Sequence, residues 1–164
     1  MSGTLYLVGT PIGNLEDMTF RAVRILKEAD LIAAEDTRNS IKLLNHFDIH
    51  TPMESYHEFN KMDKGEELAN RLEAGQNIAL ITDAGMPGIS DPGEELVRIS
   101  RDRGITVTAV PGPTAFATAA VISGRPCRRL AFEAFLPKDK KEHERVMAEL
   151  RQETRTMLIY EAPH

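Results

Sequence analysis

Ile78-Ala79-Leu80-Ile81 is an apolar run that passes directly into a loop rich in glycine and proline, Asp83-Ala84-Gly85-Met86-Pro87-Gly88. The same arrangement recurs where Leu5-Tyr6-Leu7-Val8 precedes residues 9–13 and where Val107-Thr108-Ala109-Val110 precedes residues 111–115. Parallel α/β sheets bind ligands at the carboxyl ends of their strands, where such loops lie. One such loop alone is typical of a tight turn, but three on one sheet edge predict a small-molecule site.

Strand-like and helical segments alternate along the first 124 residues. Strands are predicted over residues 4–9, 31–34, 77–82 and 105–110, with a weaker one near 53–57. Between them, apolar residues at helical spacing predict helices, the first beginning at an N-cap, Thr19, and the third ending at Gly75. This order predicts a doubly wound parallel five-stranded sheet with right-handed crossovers, an α/β fold.

A second α/β domain is expected to begin after residue 124. Gly124-Arg125-Pro126-Cys127-Arg128 has the breakers and charge of a linker. We therefore predict an N-terminal domain over 1–124 and the beginning of a C-terminal domain over 125–164, with strands near 130–136 and 156–160 around a helix near 138–152. Two strands and one helix cannot bury their faces alone, so the chain is expected to be part of a longer protein.

Composition limits the classes of function. Hydrophobic residues make up 41% and charged residues 27% of the 164 positions, which is typical of a globular domain. The single cysteine, Cys127, and the scattered histidines predict neither a disulfide nor a metal site. No apolar stretch approaches the roughly 18 residues of a membrane span, and there is no signal-peptide pattern, so a cytoplasmic protein without membrane contact is expected.

Charge is distributed unevenly. The net charge of −5 argues against a non-specific nucleic-acid coat. Residues 1–124 carry 11 Lys and Arg against 18 Asp and Glu, whereas residues 125–164 carry 9 against 7. The basic groups of the second segment fit either a solvated helix face or a surface that contacts phosphates.

Carboxylates accompany the predicted loops. Asp91 stands at the start of a helix, where an N-cap role explains it. Asp83 follows a buried strand and is expected to face the crevice, either binding a ligand ammonium or holding the loop through backbone N–H groups. Glu35, Asp36 and Arg38 follow the second strand, where a structural salt bridge and a catalytic or substrate role both remain open.

The loops do not match known phosphate cradles. Neither GxxxxGK[ST] nor GxGxxG occurs, and proline inside each loop lowers the number of N–H groups available to an anion. The ligand is therefore not expected to be held chiefly by a pyrophosphate.

The loop sequences resemble the tetrapyrrole methylase superfamily of S-adenosylmethionine-dependent methyltransferases, and within it the branch that methylates small-subunit ribosomal RNA. The resemblance is carried by residues 8–15 (VGTPIGNL), 34–38 (AEDTR), 83–93 and 111–113 (PGP), and it extends to 135–137 (FLP) and 160–164 (YEAPH). It covers essentially the whole chain.

This resemblance implies a class III methyltransferase N-domain plus a second α/β domain, with S-adenosylmethionine in the cleft between them, in an enzyme that works as a homodimer. The implied reaction is methyl transfer to the ribose 2′-hydroxyl of a cytidine in 16S ribosomal RNA of the small ribosomal subunit. Two alternatives stay open. One is a methyltransferase of the same superfamily that acts on a tetrapyrrole or a diphthine precursor, and the other is a non-catalytic module that binds a ligand or a partner.

The resemblance also implies site residues. Cofactor contacts fall on Pro11, Asp83, Ala84, Gly85, Pro87, Ile89, Ser90, Asp91, Pro111, Thr114, Ala115, Phe135, Leu136 and Ala162. Because a ribose hydroxyl is a poor nucleophile near neutral pH, Glu35 or Asp36 is expected to act as general base. RNA phosphates are expected to meet Arg38, Lys138, Lys140 and Lys141.

Overall fold

A computed structural model describes residues 1–161, which fall into two compact units divided between Thr114 and Ala115. The first unit contains a five-stranded sheet and the second a two-stranded sheet. Within residues 1–161, no helix combines the length and apolar content that a membrane crossing requires. No cluster of three or more His, Cys, Asp or Glu side chains in the same range is arranged to hold a metal ion.

The sheet of the first unit consists of five parallel strands. They are β1 (Thr4–Val8), β2 (Leu31–Ala34), β3 (Met53–Ser55), β4 (Ile78–Ile81) and β5 (Thr106–Val110), in the spatial order β3-β2-β4-β1-β5. The connecting helices are α1 (Phe20–Glu28), α2 (Thr37–His46), α3 (Lys61–Glu73) and α4 (Gly93–Asp102). The predicted doubly wound parallel sheet is confirmed.

Helices cover both faces of this sheet. On one face, Leu26 of α1 and Leu44 of α2 pack in a core with Ile81; on the other, Leu68 of α3 and Leu96 of α4 pack in a second core. All residues of β2 and β4 are buried, which explains their uninterrupted apolar runs. The chain leaves β1 and β4, which are neighbours, towards opposite faces, and this divergence opens a crevice at their carboxyl ends.

Two local signals act as the sequence predicts. The Thr19 side chain accepts a hydrogen bond from the backbone N–H of Ala22 at 3.0 Å and so caps α1. Gly75 follows α3 with a φ of +99°, a backbone conformation that glycine adopts without strain.

The second unit contains α5 (Ala115–Ile122), β6 (Leu130–Phe135), α6 (Lys140–Leu150) and β7 (Thr156–Tyr160). Strands β6 and β7 pair in parallel, with a bulge between Phe132 and Ala134. The ring of Phe116 in α5 stacks on Phe132 at 4.5 Å between centroids, and the Phe116 N–H donates to the Tyr160 hydroxyl at 3.3 Å.

These contacts change where the chain divides. The boundary predicted at residue 124 assigned α5 to the first domain, whereas the structure groups α5 with the second unit. Residues 124–128 do have the composition of a linker, but the aromatic contacts of Phe116 tie α5 to β6 and β7. The two compact units therefore divide at the end of the loop after β5, directly before α5, while a domain boundary near residue 124 stays a prediction.

Candidate functional site

The loops after β1 and β4 are joined backbone to backbone. The Thr10 N–H donates to the Gly85 carbonyl at 3.0 Å, and the Gly85 N–H donates back to the Thr10 carbonyl at 3.1 Å. The Thr10 hydroxyl, which is buried, donates to the Thr82 carbonyl at 3.3 Å. These bonds hold the two loops in a fixed relation at the crevice.

The loops after β1 and β5 pass so closely that only glycine fits. A Cβ atom on Gly9 would lie 2.7 Å from the Gly112 Cα, and one on Gly112 would lie 2.9 Å from the Gly9 Cα. The Gly9 N–H also donates to the Val110 carbonyl at 3.1 Å. The three loops predicted from the sequence thus form one connected surface at the carboxyl ends of β4, β1 and β5.

The Asp91 carboxylate binds backbone N–H groups of its own loop, the one after β4, and of the start of α4. Its carboxylate accepts hydrogen bonds from the backbone N–H groups of Gly88 at 2.8 Å, Ile89 at 3.1 Å and Gly93 at 2.8 Å. The N-cap residue of α4 is Pro92, one position after the one considered from the sequence. Asp91 instead binds Gly88 and Ile89 of the loop together with Gly93, the first residue of the helix. Of the two carboxylates that flank this loop, Asp91 is the one that holds it.

We expect Asp91→Ala to lower the free energy of unfolding by about 2 kcal/mol, because three backbone donors lose a charged acceptor and water replaces it only in part. Urea denaturation followed by circular dichroism measures this change. Glu94→Ala is the matched control, since it removes an exposed carboxylate from the first turn of the same helix. Equal destabilisation of the two variants would show that the Asp91 carboxylate does not hold the loop.

A cavity of 280 Å³ opens beside the joined loops. Its walls are Asp83, one face of α2 (Asn39, Lys42 and Leu43) and residues of the loop after β1 (Thr10, Pro11, Gly13, Asn14 and Leu15). The Asn39 amide donates to the Asp83 carboxylate at 3.2 Å. The cavity thus lies in the crevice between α2 and the loops after β1 and β4.

The polar groups of this cavity are suited to a zwitterionic ligand. Asp83 supplies a carboxylate for an ammonium group, and Lys42 supplies an ammonium for a carboxylate. Asn14 and Asn39 add amides that both donate and accept hydrogen bonds. An amino-acid moiety, with one charge of each sign, complements this set.

The predicted cofactor residues of the first unit fall into two groups. Pro11 and Asp83 line the cavity. The others belong to the joined loops: Gly85 and Pro87 are buried, Ile89, Asp91 and Thr114 are half-buried, and Ala84, Ser90 and Pro111 are exposed. Ser90 has a φ of +62°, a strained conformation for a residue with a side chain.

The second unit carries the remaining predicted cofactor residues. Ala115 is the first residue of α5. Phe135 ends β6, where its exposed ring lies 5.4 Å from the Tyr160 ring between centroids, and Leu136 follows it. Ala162 lies outside the residues that the structure describes.

Sequence reasoning missed the α2 wall of the cavity. Asn39, Lys42 and Leu43 have the i, i+3, i+4 spacing of a single helix face, directly after Arg38. That spacing was the available signal. It did not indicate which neighbour the face would meet, because the approach of Asn39 to Asp83 joins residues 44 positions apart.

The three charged residues after β2 have different surroundings. The Glu35 carboxylate accepts a hydrogen bond from the Thr82 hydroxyl at 2.6 Å. Asp36 caps α2 by accepting from the Arg38 N–H at 2.9 Å, and its carboxylate binds the Arg38 guanidinium at 3.1 and 2.8 Å. The hydrogen bonds from Arg38 lower the pKa of Asp36 to about 2.

The structural salt bridge left open by the sequence is therefore present, between Asp36 and Arg38. A carboxylate with so low a pKa is a weak base, so Asp36 is poorly suited to accept a proton near neutral pH. The guanidinium of Arg38 is 88% exposed but already holds a carboxylate. In the second unit, Lys138, Lys140 and Lys141 are all exposed at the start of α6.

Comparisons with known proteins agree with this architecture. A family model described as Tetrapyrrole (Corrin/Porphyrin) Methylases matches residues 4–164. The ribosomal RNA small subunit methyltransferase I of Halalkalibacterium halodurans is 55% identical to this chain, and the match covers 99% of the chain and 56% of that relative. The protein of the same name from Synechocystis is 53% identical, and the match covers 99% of the chain and 58% of that relative. The chain thus spans little more than half the length of these relatives.

Among solved structures, a diphthine synthase superposes with a TM-score of 0.72. The match covers 99% of this chain and 66% of that protein. Its sequence identity of 12% limits the likeness to the fold.

Proposed function

Because this chain belongs to the tetrapyrrole (corrin/porphyrin) methylase family, we propose that its protein is a methyltransferase that uses S-adenosylmethionine to methylate the ribose 2′-hydroxyl of a cytidine in 16S ribosomal RNA. The observation that carries the proposal is the near-complete match of the chain to relatives named for small-subunit ribosomal RNA methylation. The cavity at the joined loops supports it, since its polar groups complement an amino-acid moiety.

The cavity residues fit the methionine end of S-adenosylmethionine. Asp83 would bind its ammonium group and Lys42 its carboxylate, while Pro11 and Leu15 supply apolar wall. A volume of 280 Å³ is below the roughly 300–1,000 Å³ of whole small-molecule pockets. This cavity would therefore hold one end of the cofactor, with further contacts at the predicted residues of the joined loops.

S-adenosylmethionine, when bound, supplies an electrophilic methyl group. The protein has to align the acceptor oxygen with that group, since methyl transfer is an in-line displacement and positioning supplies much of its acceleration. It also has to take the proton from the ribose 2′-oxygen. We assign this step to Glu35, which is held by Thr82, the residue directly before Asp83.

Two measurements test the proposal. Calorimetric titration of S-adenosylmethionine into the full-length protein should give saturable binding. The same titration into the 164-residue chain, which contains the first-unit cavity, measures the affinity that this chain supplies by itself. Transfer of a labelled methyl group should occur to small ribosomal subunits and not to uroporphyrinogen III or a diphthine precursor. Transfer to one of the small molecules would favour the alternative superfamily activity, and binding without any transfer would favour a non-catalytic module.

The lysines at the start of α6 should contribute to RNA affinity. Lys140 and Lys141 lie in its first turn, where the helix N-terminus adds positive potential, and Lys138 precedes them. Within residues 1–161 none of the three forms an ion pair. Changing all three to glutamine should weaken RNA binding and reduce the salt slope, the change in log affinity per log salt concentration, by about 2.

The measurement is RNA binding over a series of KCl concentrations. The control variant is Arg21→Gln/Lys27→Gln/Arg101→Gln, which removes the same charge from exposed positions on α1 and α4. An unchanged salt slope in the lysine variant would contradict the assignment. S-adenosylmethionine affinity should stay the same in both variants.

We also propose a homodimer and a cytoplasmic location, as the resemblance implies. Val121 and Ile122 at the end of α5 are each 80% exposed, and exposed apolar side chains of this kind favour association. Light scattering of the full-length protein tests the dimer. A particle of monomer mass at micromolar concentration would contradict it.

A further inference from the structure

A groove rich in arginine lies in the second unit, at the amino ends of β6 and β7. It has a volume of 660 Å³ and contains the side chains of Arg125, Arg128, Arg129 and Arg155. We call these four residues and the space between them the arginine groove. It is formed by the segment that enters β6 and the turn that enters β7.

Most of the positive charge in the arginine groove is not neutralised. Arg155 pairs with Glu153, its Nε donating at 2.9 Å, and this guanidinium lowers the pKa of Glu153 to about 2. Within residues 1–161, no carboxylate lies within ion-pair distance of Arg125, Arg128 or Arg129. All three are exposed, so three cationic groups are available to a ligand.

The backbone that carries these arginines is fixed by hydrogen bonds. The Thr156 hydroxyl donates to the Pro126 carbonyl at 2.8 Å, which ties the segment to the start of β7. The Arg125 N–H donates to the Ser123 hydroxyl at 3.1 Å, and the Cys127 thiol donates to the Ala120 carbonyl at 3.2 Å. The guanidinium groups are therefore presented from an ordered segment, which lowers the entropy lost when they bind a ligand.

We propose that the arginine groove binds the phosphodiester backbone of the substrate RNA, an inference that rests on the proposed function. A guanidinium presents parallel N–H donors that match phosphate oxygens, which is why arginine is preferred where phosphates are bound. Three guanidinium groups without a carboxylate partner among residues 1–161, spread along one open groove, suit a chain of repeated phosphates better than a single anion. An RNA backbone is favoured over a protein partner because it supplies an anion at every nucleotide, whereas a protein would have to present several clustered carboxylates to the same arginines.

The groove is separate from the predicted cofactor contacts of the same unit. Phe135 and Leu136 follow the carboxyl end of β6, whereas Arg128 and Arg129 precede its amino end. A strand of six residues spans roughly 20 Å. Substitutions in the groove should therefore change RNA binding without changing the affinity for S-adenosylmethionine.

The test uses the full-length protein and the variant Arg125→Gln/Arg128→Gln/Arg129→Gln. Binding to protein-free 16S ribosomal RNA is measured over a series of KCl concentrations. The salt slope should fall by about 2 to 3, since each lost phosphate contact removes roughly 0.7 to 0.9. The control is Arg21→Gln/Lys27→Gln/Arg101→Gln, which changes net charge equally and should leave the slope within about 0.5 of the wild-type value.

Several outcomes would overturn the proposal. An unchanged slope would show that the groove makes no phosphate contact, and an equal fall in the control would show only an effect of net charge. If protein-free RNA binds the variant normally while intact small subunits bind it weakly, the groove contacts a ribosomal protein instead. Circular dichroism and S-adenosylmethionine titration on the same samples identify any loss of folding, and a second variant, with lysine at all three positions, should retain most of the slope.

Methyl transfer by the wild type separates this inference from the proposed function. If the wild type methylates ribosomal RNA but the groove variant keeps its salt slope, only the groove assignment fails. If the wild type methylates no RNA and binds none, the proposed function itself fails. These two results cannot be confused, because the first requires an active wild type.

Discussion

The Glu35→Gln variant is expected to transfer methyl groups to ribosomal RNA about 100 to 10,000 times more slowly than the wild type, the range that general-base catalysis contributes. Glutamine has the shape of glutamate and can still accept the hydrogen bond from the Thr82 hydroxyl, which lies 2.6 Å from the Glu35 carboxylate. The substitution therefore removes the basic group and keeps its position. Single-turnover assays with saturating S-adenosylmethionine measure the rate.

Asp36→Asn is the matched control for this variant. Asparagine is as good an N-cap as aspartate, so α2 should keep its start, while the ion pair with Arg38 is lost. Because the pKa of Asp36 is already about 2, this carboxylate is a weak base and its loss should change the rate only a few-fold. A normal rate in Glu35→Gln, or a larger loss in Asp36→Asn, would contradict the assignment of the base to Glu35.

Gly9→Ala is expected to lower the free energy of unfolding by about 3 kcal/mol and to weaken S-adenosylmethionine binding at least tenfold. Its Cβ would lie 2.7 Å from the Gly112 Cα and 2.8 Å from the Gly112 nitrogen. These are backbone atoms, so rotation of a side chain cannot relieve the overlap. The loops after β1 and β5 must separate, and the site surface that they form is disrupted.

Gly65→Ala is the control for this prediction. A Cβ on Gly65, in the middle of α3, would lie 3.0 Å from the Ile99 Cδ1, which is the end of a flexible side chain. Alanine also gains roughly 1 kcal/mol of helix propensity over glycine, which offsets the crowding. Urea denaturation and calorimetric titration should show Gly65→Ala close to the wild type. If Gly9→Ala were equally mild, the two loops would not be in contact as described.

Some features of the site could be predicted because their signals are local. The apolar runs of β2 and β4 reflect burial on both faces, and the glycines and prolines mark the loops that follow strands. The family resemblance carried by these loops is confirmed by the family model. The roles of Glu35, Asp36 and Arg38 could not be decided from the sequence. Their positions along the chain do not reveal which partner each side chain contacts in the folded protein.

The grouping of α5 with β6 and β7 in one compact unit could not be predicted for a related reason. The glycine, proline and charged residues at 124–128 are a strong local signal for a boundary. The contacts that decide the grouping of α5 join Phe116 to Phe132 and Tyr160, up to 44 positions away. The sequence of α5 has no helical periodicity that would indicate these contacts, because almost all of its residues are apolar.

The amino-acid sequence by itself predicted a doubly wound parallel sheet and three loops at its ligand-binding edge, because alternating buried strands and helices leave a regular pattern along the chain. Its resemblance to the methylases came separately, from the motifs within those loops. Tertiary structure alone established how those loops are joined. The Thr10–Gly85 pairing, the contact of Gly9 with Gly112 and the approach of Asn39 to Asp83 all cross from one strand end to another. They follow from the strand order β2-β4-β1-β5, which packing of the helices on both faces selects and which no local pattern encodes.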